Sequence, residues 1–144
     1  MALTMHHVGL SVSSLDRSIA FYRDVLGFEL LRLVECPVEG RLGDVTRLPG
    51  AHGRLAHLAL GGAVLELVEF AHPRGRPLAA ECALADVGFS HICLSSSDIQ
   101  ADYAALSSRG VRFYTEVIEY RPGVFMAYFY GPDGETCELR QAAC

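Results

Sequence analysis

Apolar residues recur at helical spacing in two separate stretches of this chain. They occupy every third or fourth position over residues 15–26 and again over residues 99–106, which predicts one amphipathic helix in each half. Runs rich in β-branched and aromatic residues surround both stretches and predict strands. These runs cover residues 7–11, 28–36, 53–60 and 62–67 in the first half, and residues 91–95, 111–117, 124–130 and 134–139 in the second. The predicted order is therefore β-α-β-β-β in each half.

Capping residues mark both ends of each predicted helix. Ser13 or Ser14 can accept a hydrogen bond at the start of the first helix, and Asp98 can do so for the second. Gly27 and Gly110 stand where a residue in the left-handed conformation commonly ends a helix. We therefore expect both helices to end beside these glycines.

The two halves also resemble each other residue by residue. The segment His7–Ser11 aligns with His91–Ser95, and Gly62–Leu67 aligns with Gly134–Leu139. Such a duplication predicts an α+β fold made of two tandem βαβββ modules.

The length of 144 residues fits a single domain built from these two modules. We expect the modules to span residues 1–72 and 86–144, joined by the proline-containing loop 73–85. A second long loop, residues 37–52, separates two strands of the first module and is long enough to act as a lid.

Alternation along the predicted strands puts four potential metal ligands on matching faces. His7 and His91 have the opposite parity to the apolar residues of their strands, while Glu66 and Glu138 each lie between two apolar neighbours. A lone histidine in a strand is more often a hydrogen-bonded core residue, but a buried carboxylate is seldom kept without a partner or a metal. If the modules pack about a pseudo-two-fold axis, these residues supply two imidazoles and two carboxylates to one divalent ion.

The other histidines are not expected to be ligands. His6 has the opposite parity to His7, so it should face the helix side or the surface. His52, His57 and His72 lie outside the repeated positions.

Composition and charge exclude several classes of function. The chain has no lysine, which rules out Schiff-base catalysis, pyridoxal phosphate attachment and a Walker A lysine. Its net charge of −5 and scattered arginines argue against nucleic-acid binding. No apolar run reaches the roughly 18 residues of a membrane span, and five cysteines without a CxxC motif indicate neither a disulfide framework nor a zinc knuckle. We expect a cytoplasmic protein that binds a small molecule.

Four segments of the chain resemble the vicinal oxygen chelate superfamily. They are Met5–Val12, Arg17–Phe28, Leu65–Leu67 and Tyr130–Leu139. The superfamily includes glyoxalase I, methylmalonyl-CoA epimerase, the bleomycin and fosfomycin resistance proteins and the extradiol dioxygenases. The resemblance implies that the two modules form a curved mixed sheet around a metal-binding cleft. It also implies a divalent metal ion (Ni, Co, Zn, Fe, Mn or Mg), whose ligands would be His7, Glu66, His91 and Glu138.

The glutamate at position 66 favours one class of reaction within this group. Glyoxalase I is similar in having Glu there, whereas the epimerases often have Gln and the dioxygenases use a His, His, Glu site. The resemblance therefore implies a lyase or isomerase of the glyoxalase type, in which Glu66 or Glu138 abstracts a proton next to a carbonyl and the cation stabilises the enolate. The interval between Glu66 and His91 is nearer to that of the epimerases. An acyl-CoA epimerase, an extradiol dioxygenase and a non-catalytic, ligand-sequestering resistance protein stay as alternatives.

Strand parity also predicts residues of the substrate pocket. Cys93 lies two residues beyond His91 on the same face, although filling a core is the commoner role of a free cysteine. The predicted pocket comprises Ser11, Cys93, Ser95, Arg121 and Tyr128. We further expect a homodimer, because open sheets leave edges and apolar faces that a second chain can cover.

Overall fold

Two compact units make up the chain, Met1–Pro77 and Leu78–Cys144. The computed structural model describes residues 2–79 and 83–142, so part of the predicted loop 73–85 lies outside the described residues. Each unit contains a four-stranded mixed sheet with a helix after its first strand. The predicted α+β class and the repeated β-α-β-β-β order are therefore confirmed.

The first unit follows the predicted order with one added helix. Its elements are β1 (Val8–Ser11), α1 (Leu15–Ile19), β2 (Glu29–Cys36), α2 (Leu42–Thr46), β3 (His52–Leu60) and β4 (Ala63–His72). A π-helical segment, Ala20–Val25, continues α1, and the short α2 lies within the predicted lid loop. The strand order is β1-β4-β3-β2, with β1 parallel to β4 and the other pairs antiparallel.

The second unit repeats this topology. Its elements are β5 (Ile92–Ser95), α3 (Ile99–Ser108), β6 (Ile118–Arg121), β7 (Val124–Tyr130) and β8 (Thr136–Ala142). The strand order is β5-β8-β7-β6, again with only the first pair parallel among the described strands. The strand next to β1 is β4, and the strand next to β5 is β8. Each is the last strand of its unit in sequence, and each carries one of the two glutamates.

The second strand of the second unit does not lie where the sequence predicts it. Residues 111–117 form an irregular segment with a single bridge, and β6 begins only at Ile118. The backbone N–H of Tyr128 donates a hydrogen bond to the Thr115 hydroxyl at 2.7 Å. In a regular ladder this N–H would donate to a backbone carbonyl of the neighbouring strand. The N–H groups of Tyr114 and Thr115 both donate to the Tyr128 carbonyl, so two residues oppose one. This competition interrupts the ladder, and the predicted strand over 111–117 is wrong.

The helix ends agree with the sequence signals. Ser14 accepts a hydrogen bond at the start of α1, and Asp98 does so at the start of α3. Gly27 and Gly110 have φ values of 82° and 83°, the left-handed region in which glycine carries no side-chain clash. Among residues 2–79 and 83–142, none of the helices combines the length and the apolar character that crossing a membrane requires.

Apolar residues of core-facing parity fill the space between helix and sheet in each unit. Leu15, Tyr22 and Leu67 are fully buried in the first unit, and Phe129 and Cys137 are fully buried in the second. Burial of a large apolar side chain stabilises a fold by about 1.5–3 kcal/mol. Because neighbours along a strand point to opposite faces, the glutamates next to Leu67 and Cys137 point to the other face of each sheet.

The last strand of each unit also holds the start of its helix. Glu69 Oε2 in β4 accepts the backbone N–H of Leu15 at 2.9 Å, and Gln141 Oε1 in β8 accepts that of Ile99 at 2.7 Å. Arg54 Nη2 in β3 donates to the same oxygen of Glu69 at 2.9 Å. A side-chain acceptor at this place satisfies an N–H that the helix itself leaves unpaired.

Candidate metal centre

A histidine and a glutamate meet beside the first sheet. His7 lies just before β1, and Glu66 lies in β4 directly opposite Gly9. The His7 Nε2 and Glu66 Oε1 atoms are 3.4 Å apart, and the two side chains are 35% and 19% exposed. A ligand can therefore reach this pair from solvent.

The second sheet presents the same pair in a more buried form. His91 lies just before β5, and its Nε2 is 2.9 Å from Glu138 Oε2 in β8. The hydroxyl of Ser90 and His91 Nδ1 are 2.8 Å apart, which leaves Nε2 to face the carboxylate. Glu138 is only 3% exposed, and its Oε1 is buried without a hydrogen-bond partner among the residues that the structure describes.

His57 joins the first pair, although the sequence reasoning set it apart from the site. It is 5% exposed, and its Nε2 lies 2.6 Å from Glu66 Oε2. On its other side, Arg32 Nε donates to His57 Nδ1 at 3.1 Å. The ligand atoms of His7, His57 and Glu66 all lie within 4.8 Å of one another, as a metal-binding group requires.

A sequence signal for His57 existed in the turn between β3 and β4. The dipeptide Gly61-Gly62 is typical of a two-residue hairpin turn, and its φ values of 55° and 84° are those of type I′. Counting back from such a turn pairs His57 with Glu66, which is the observed register. The repeat comparison missed this residue because the second unit has Tyr128 opposite Glu138 instead.

His6 is exposed at the surface, as the sequence predicts, but it lies beside His7. Its Nδ1 lies 2.7 Å from His7 Nδ1, and its ring centroid is 5.9 Å from that of His57. Both His6 and His7 precede β1, so they need not point to opposite faces as neighbouring residues within a strand do. His52 and His72 stack on each other where β3 begins and β4 ends.

Two of the predicted pocket residues flank Glu138. Cys93 in β5 and Tyr128 in β7 are its direct cross-strand neighbours. The rings of Tyr128 and His91 meet edge to face with centroids 5.6 Å apart. Partial desolvation, aided by the Glu138 carboxylate, raises the pKa of Cys93 to about 11 and also raises the pKa of the Tyr128 phenol. Both groups are therefore neutral near pH 7.

Comparison with known proteins agrees with this fold. Residues 4–139 match the Glyoxalase/Bleomycin resistance protein/Dioxygenase superfamily. The chain belongs to this superfamily. The resemblance inferred from the four sequence segments is thereby confirmed.

Two relatives and one solved structure illustrate where the chain lies within the superfamily. The uncharacterized protein YaeR of Escherichia coli strain K12 is 31% identical over 136 residues, covering 94% of this chain and 93% of YaeR. The 2-epi-5-epi-valiolone epimerase of an Actinomyces species is 33% identical over 149 residues, covering 96% of this chain and 79% of the epimerase. A glyoxalase family protein from Bacillus cereus shares the fold, with a TM-score of 0.86 at 23% identity over 98% of this chain and 95% of that one.

The other predicted pocket residues lie farther from the two His–Glu pairs. Ser11 is opposite Val68 in the first sheet, and Ser95 is opposite Arg140 in the second. Each of these pairs lies two positions along the strands from the pair that contains the glutamate. Arg121 ends β6, which β7 separates from the strand of Glu138.

The donor set of this superfamily member fits a divalent cation. Imidazole nitrogens and carboxylate oxygens suit borderline and hard ions. A buried carboxylate oxygen such as Glu138 Oε1 is costly unless a donor or a cation faces it. Each unit offers one such pair of donors, His7 with Glu66 in the first unit and His91 with Glu138 in the second.

Proposed function

We propose that this protein is a metal-dependent lyase or isomerase of the glyoxalase type. It abstracts a proton next to a carbonyl of a small substrate that carries neighbouring oxygen atoms. The observation that carries the proposal is the repeated His–Glu pair, which occurs once in each unit. Membership of the superfamily and the likeness to a protein named as an epimerase support it.

In this proposal the ligands are His7, Glu66, His91 and Glu138. When bound, the divalent ion supplies positive charge that stabilises an oxyanion developing on the substrate. Two carboxylates neutralise the charge of a divalent ion, and two neutral imidazoles complete the set.

The surroundings of the two carboxylates support different roles for them in this proposal. Both oxygens of Glu66 face imidazoles, since Oε1 lies near His7 and Oε2 near His57. Glu138 Oε1 has no such partner among the described residues, so no other side chain occupies its lone pairs. We assign the base to Glu138, with its Oε1 holding the proton between abstraction and return.

Substrate binding in this proposal uses the residues predicted for the pocket. Cys93 and Tyr128 flank Glu138 as neutral groups, and Ser11, Ser95 and Arg121 bind the more distant parts of the substrate. A homodimer completes the proposal, because the edge strands β2 and β6 carry exposed apolar side chains that a second copy can cover. These are Leu31, Leu33, Ile118 and Tyr120.

The test combines metal analysis with proton exchange in D2O. Purified protein is assayed for bound divalent ions and then offered 2-oxoaldehyde hemithioacetals, acyl-CoA epimers and catechols. We expect deuterium to enter the carbon next to the carbonyl of a hemithioacetal or an acyl-CoA. Glu138→Gln should slow this exchange by about 10²–10⁴-fold, while the matched control Glu29→Gln, an exposed carboxylate on β2, should leave it unchanged.

Other outcomes would select the alternatives. Exchange confined to acyl-CoA substrates would identify an acyl-CoA epimerase, and oxygen-dependent ring cleavage of a catechol would identify a dioxygenase. Ligand binding without turnover, unaffected by a chelator, would identify a sequestering protein and would overturn the proposal.

A further inference from the structure

We propose that Arg32 and His57 form a positioning pair that fixes the carboxylate of Glu66. Arg32 sets the tautomer of His57, and the Nε2–H of His57 then donates to Glu66 Oε2. The inference rests on the proposed function only in taking Glu66 as a metal ligand.

The three residues are aligned across the first sheet by its register. Arg32 in β2 is opposite His57 in β3, and His57 is opposite Glu66 in β4. The Arg32 Nε to His57 Nδ1 distance is 3.1 Å, and the His57 Nε2 to Glu66 Oε2 distance is 2.6 Å. His57 is only 5% exposed, so water is largely kept from its ring and the two side chains satisfy it.

The chemistry of the arginine decides which ring nitrogen carries the proton. A guanidinium is permanently charged and only donates hydrogen bonds. His57 Nδ1 must therefore offer its lone pair to Arg32, and the ring proton resides on Nε2. That nitrogen faces Glu66, where an N–H is the complementary partner of a carboxylate.

This assignment separates His57 from the metal ligands, although its Nε2 lies within reach of the same group. A ligating imidazole uses its lone pair for the metal and donates its other N–H to an acceptor. If His57 Nε2 bound the ion, the Nδ1–H would point at a guanidinium that is itself a donor. The geometry therefore favours a two-residue contribution, His7 and Glu66, from the first unit.

The second unit has no equivalent pair at this place in its sheet. The residue opposite Glu138 is Tyr128, and Glu138 Oε1 is left without a partner among the described residues. Glu66 is therefore held through both of its oxygens, whereas Glu138 is held by an imidazole through Oε2. Arg32 and His57 act through Glu66 and are positioning residues.

The tautomer can be measured directly in metal-free protein. A long-range ¹H–¹⁵N NMR spectrum of the histidine rings should show His57 as the Nε2–H tautomer, with the signal assigned by its loss in His57→Gln. Arg32→Met should weaken or reverse this tautomer preference. An Nδ1–H tautomer in the wild-type protein, or an unchanged ring in Arg32→Met, would overturn the pairing.

Zinc titration then distinguishes a positioning residue from a ligand. On addition of Zn²⁺, His57 should stay protonated at Nε2. His57→Leu should weaken Zn²⁺ binding by about 10–100-fold, while His57→Gln, whose amide N–H can replace the donor, should stay within about threefold of wild type. His52→Leu, in the same strand, is the matched control and should bind normally.

The failures of the two proposals are distinguishable. Coordination of Zn²⁺ by His57 Nε2, or equal losses in His57→Gln and His57→Leu, would overturn the positioning role. Absence of Zn²⁺ binding by wild-type protein would count against the proposed function, while the tautomer measurement would still decide the Arg32–His57 pairing.

Discussion

Replacing Glu69 should separate the hydrogen bond at the start of α1 from the ion pair beside it. We expect Glu69→Ala to lower the free energy of unfolding by about 2–3 kcal/mol. Glu69→Gln should lower it by about 1 kcal/mol or less. Glutamine keeps an acceptor oxygen for the Leu15 N–H, as Gln141 does for Ile99 in the second unit.

The magnitude follows from the burial of the groups involved. Leu15 is 0% exposed, so water cannot replace the lost acceptor, and a buried unpaired N–H costs about 1–3 kcal/mol. The ion pair between Arg54 and Glu69 is 29% and 24% exposed, so solvent screening limits its contribution to about 0.5–1 kcal/mol. Arg54 also keeps its contact with Asp16 at 3.1 Å when Glu69 is replaced.

Urea denaturation followed by circular dichroism measures these losses. For a chain of this size about 1 kcal/mol corresponds to roughly 3–4 °C in Tm, so Glu69→Ala should melt roughly 6–12 °C lower than wild type. The exposed substitution Glu29→Ala serves as the control and should have little effect. Equal losses in Glu69→Ala and Glu69→Gln would refute the reasoning, because they would assign the stabilisation to charge and not to the acceptor.

Four further outcomes are expected. Zn²⁺ at 100 times its Kd should stabilise the protein by about 2.7 kcal/mol, seen as a higher Tm that a chelator reverses. Iodoacetamide should label the exposed Cys93 before the fully buried Cys137, and the reverse order in a mass spectrum would contradict the strand register. Phe129→Ala, at a fully buried position, should cost about 3–5 kcal/mol in urea denaturation. Gly110→Ala should cost about 1 kcal/mol at its φ of 83°, whereas Gly75→Ala, with no positive φ, should be neutral.

The sequence predicts the local structure of this protein well where one interaction dominates. Alternation put Leu67 and Cys137 in the core, and the structure buries both. Asp98 and Gly110 bound the second helix as expected, because a cap and a left-handed residue each depend on a few neighbouring atoms. These signals need no knowledge of distant parts of the chain.

The sequence fails where two local interactions compete or where a contact depends on register. The hydroxyl of Thr115 replaces a backbone acceptor, and strand propensity takes no account of such a side-chain hydrogen bond. His57 has no counterpart in the repeat, so comparison of the halves gave it no weight, and only the hairpin register brings it to Glu66. Arg32 needs a further strand pairing, across the irregularity between Leu30 and Arg32, before it reaches His57.

The two-glycine turn between β3 and β4 makes loop length a determinant of chemistry in this protein. Inserting or deleting one residue there would slip the pairing by one position and turn Glu66 away from His57. The long segment around α2 leads into the same strand but sets no such register, so it can absorb changes in length. We therefore expect natural changes in loop length to occur around α2, and we expect inserted sequences to be tolerated there. The hairpin turn between β3 and β4 should keep two residues.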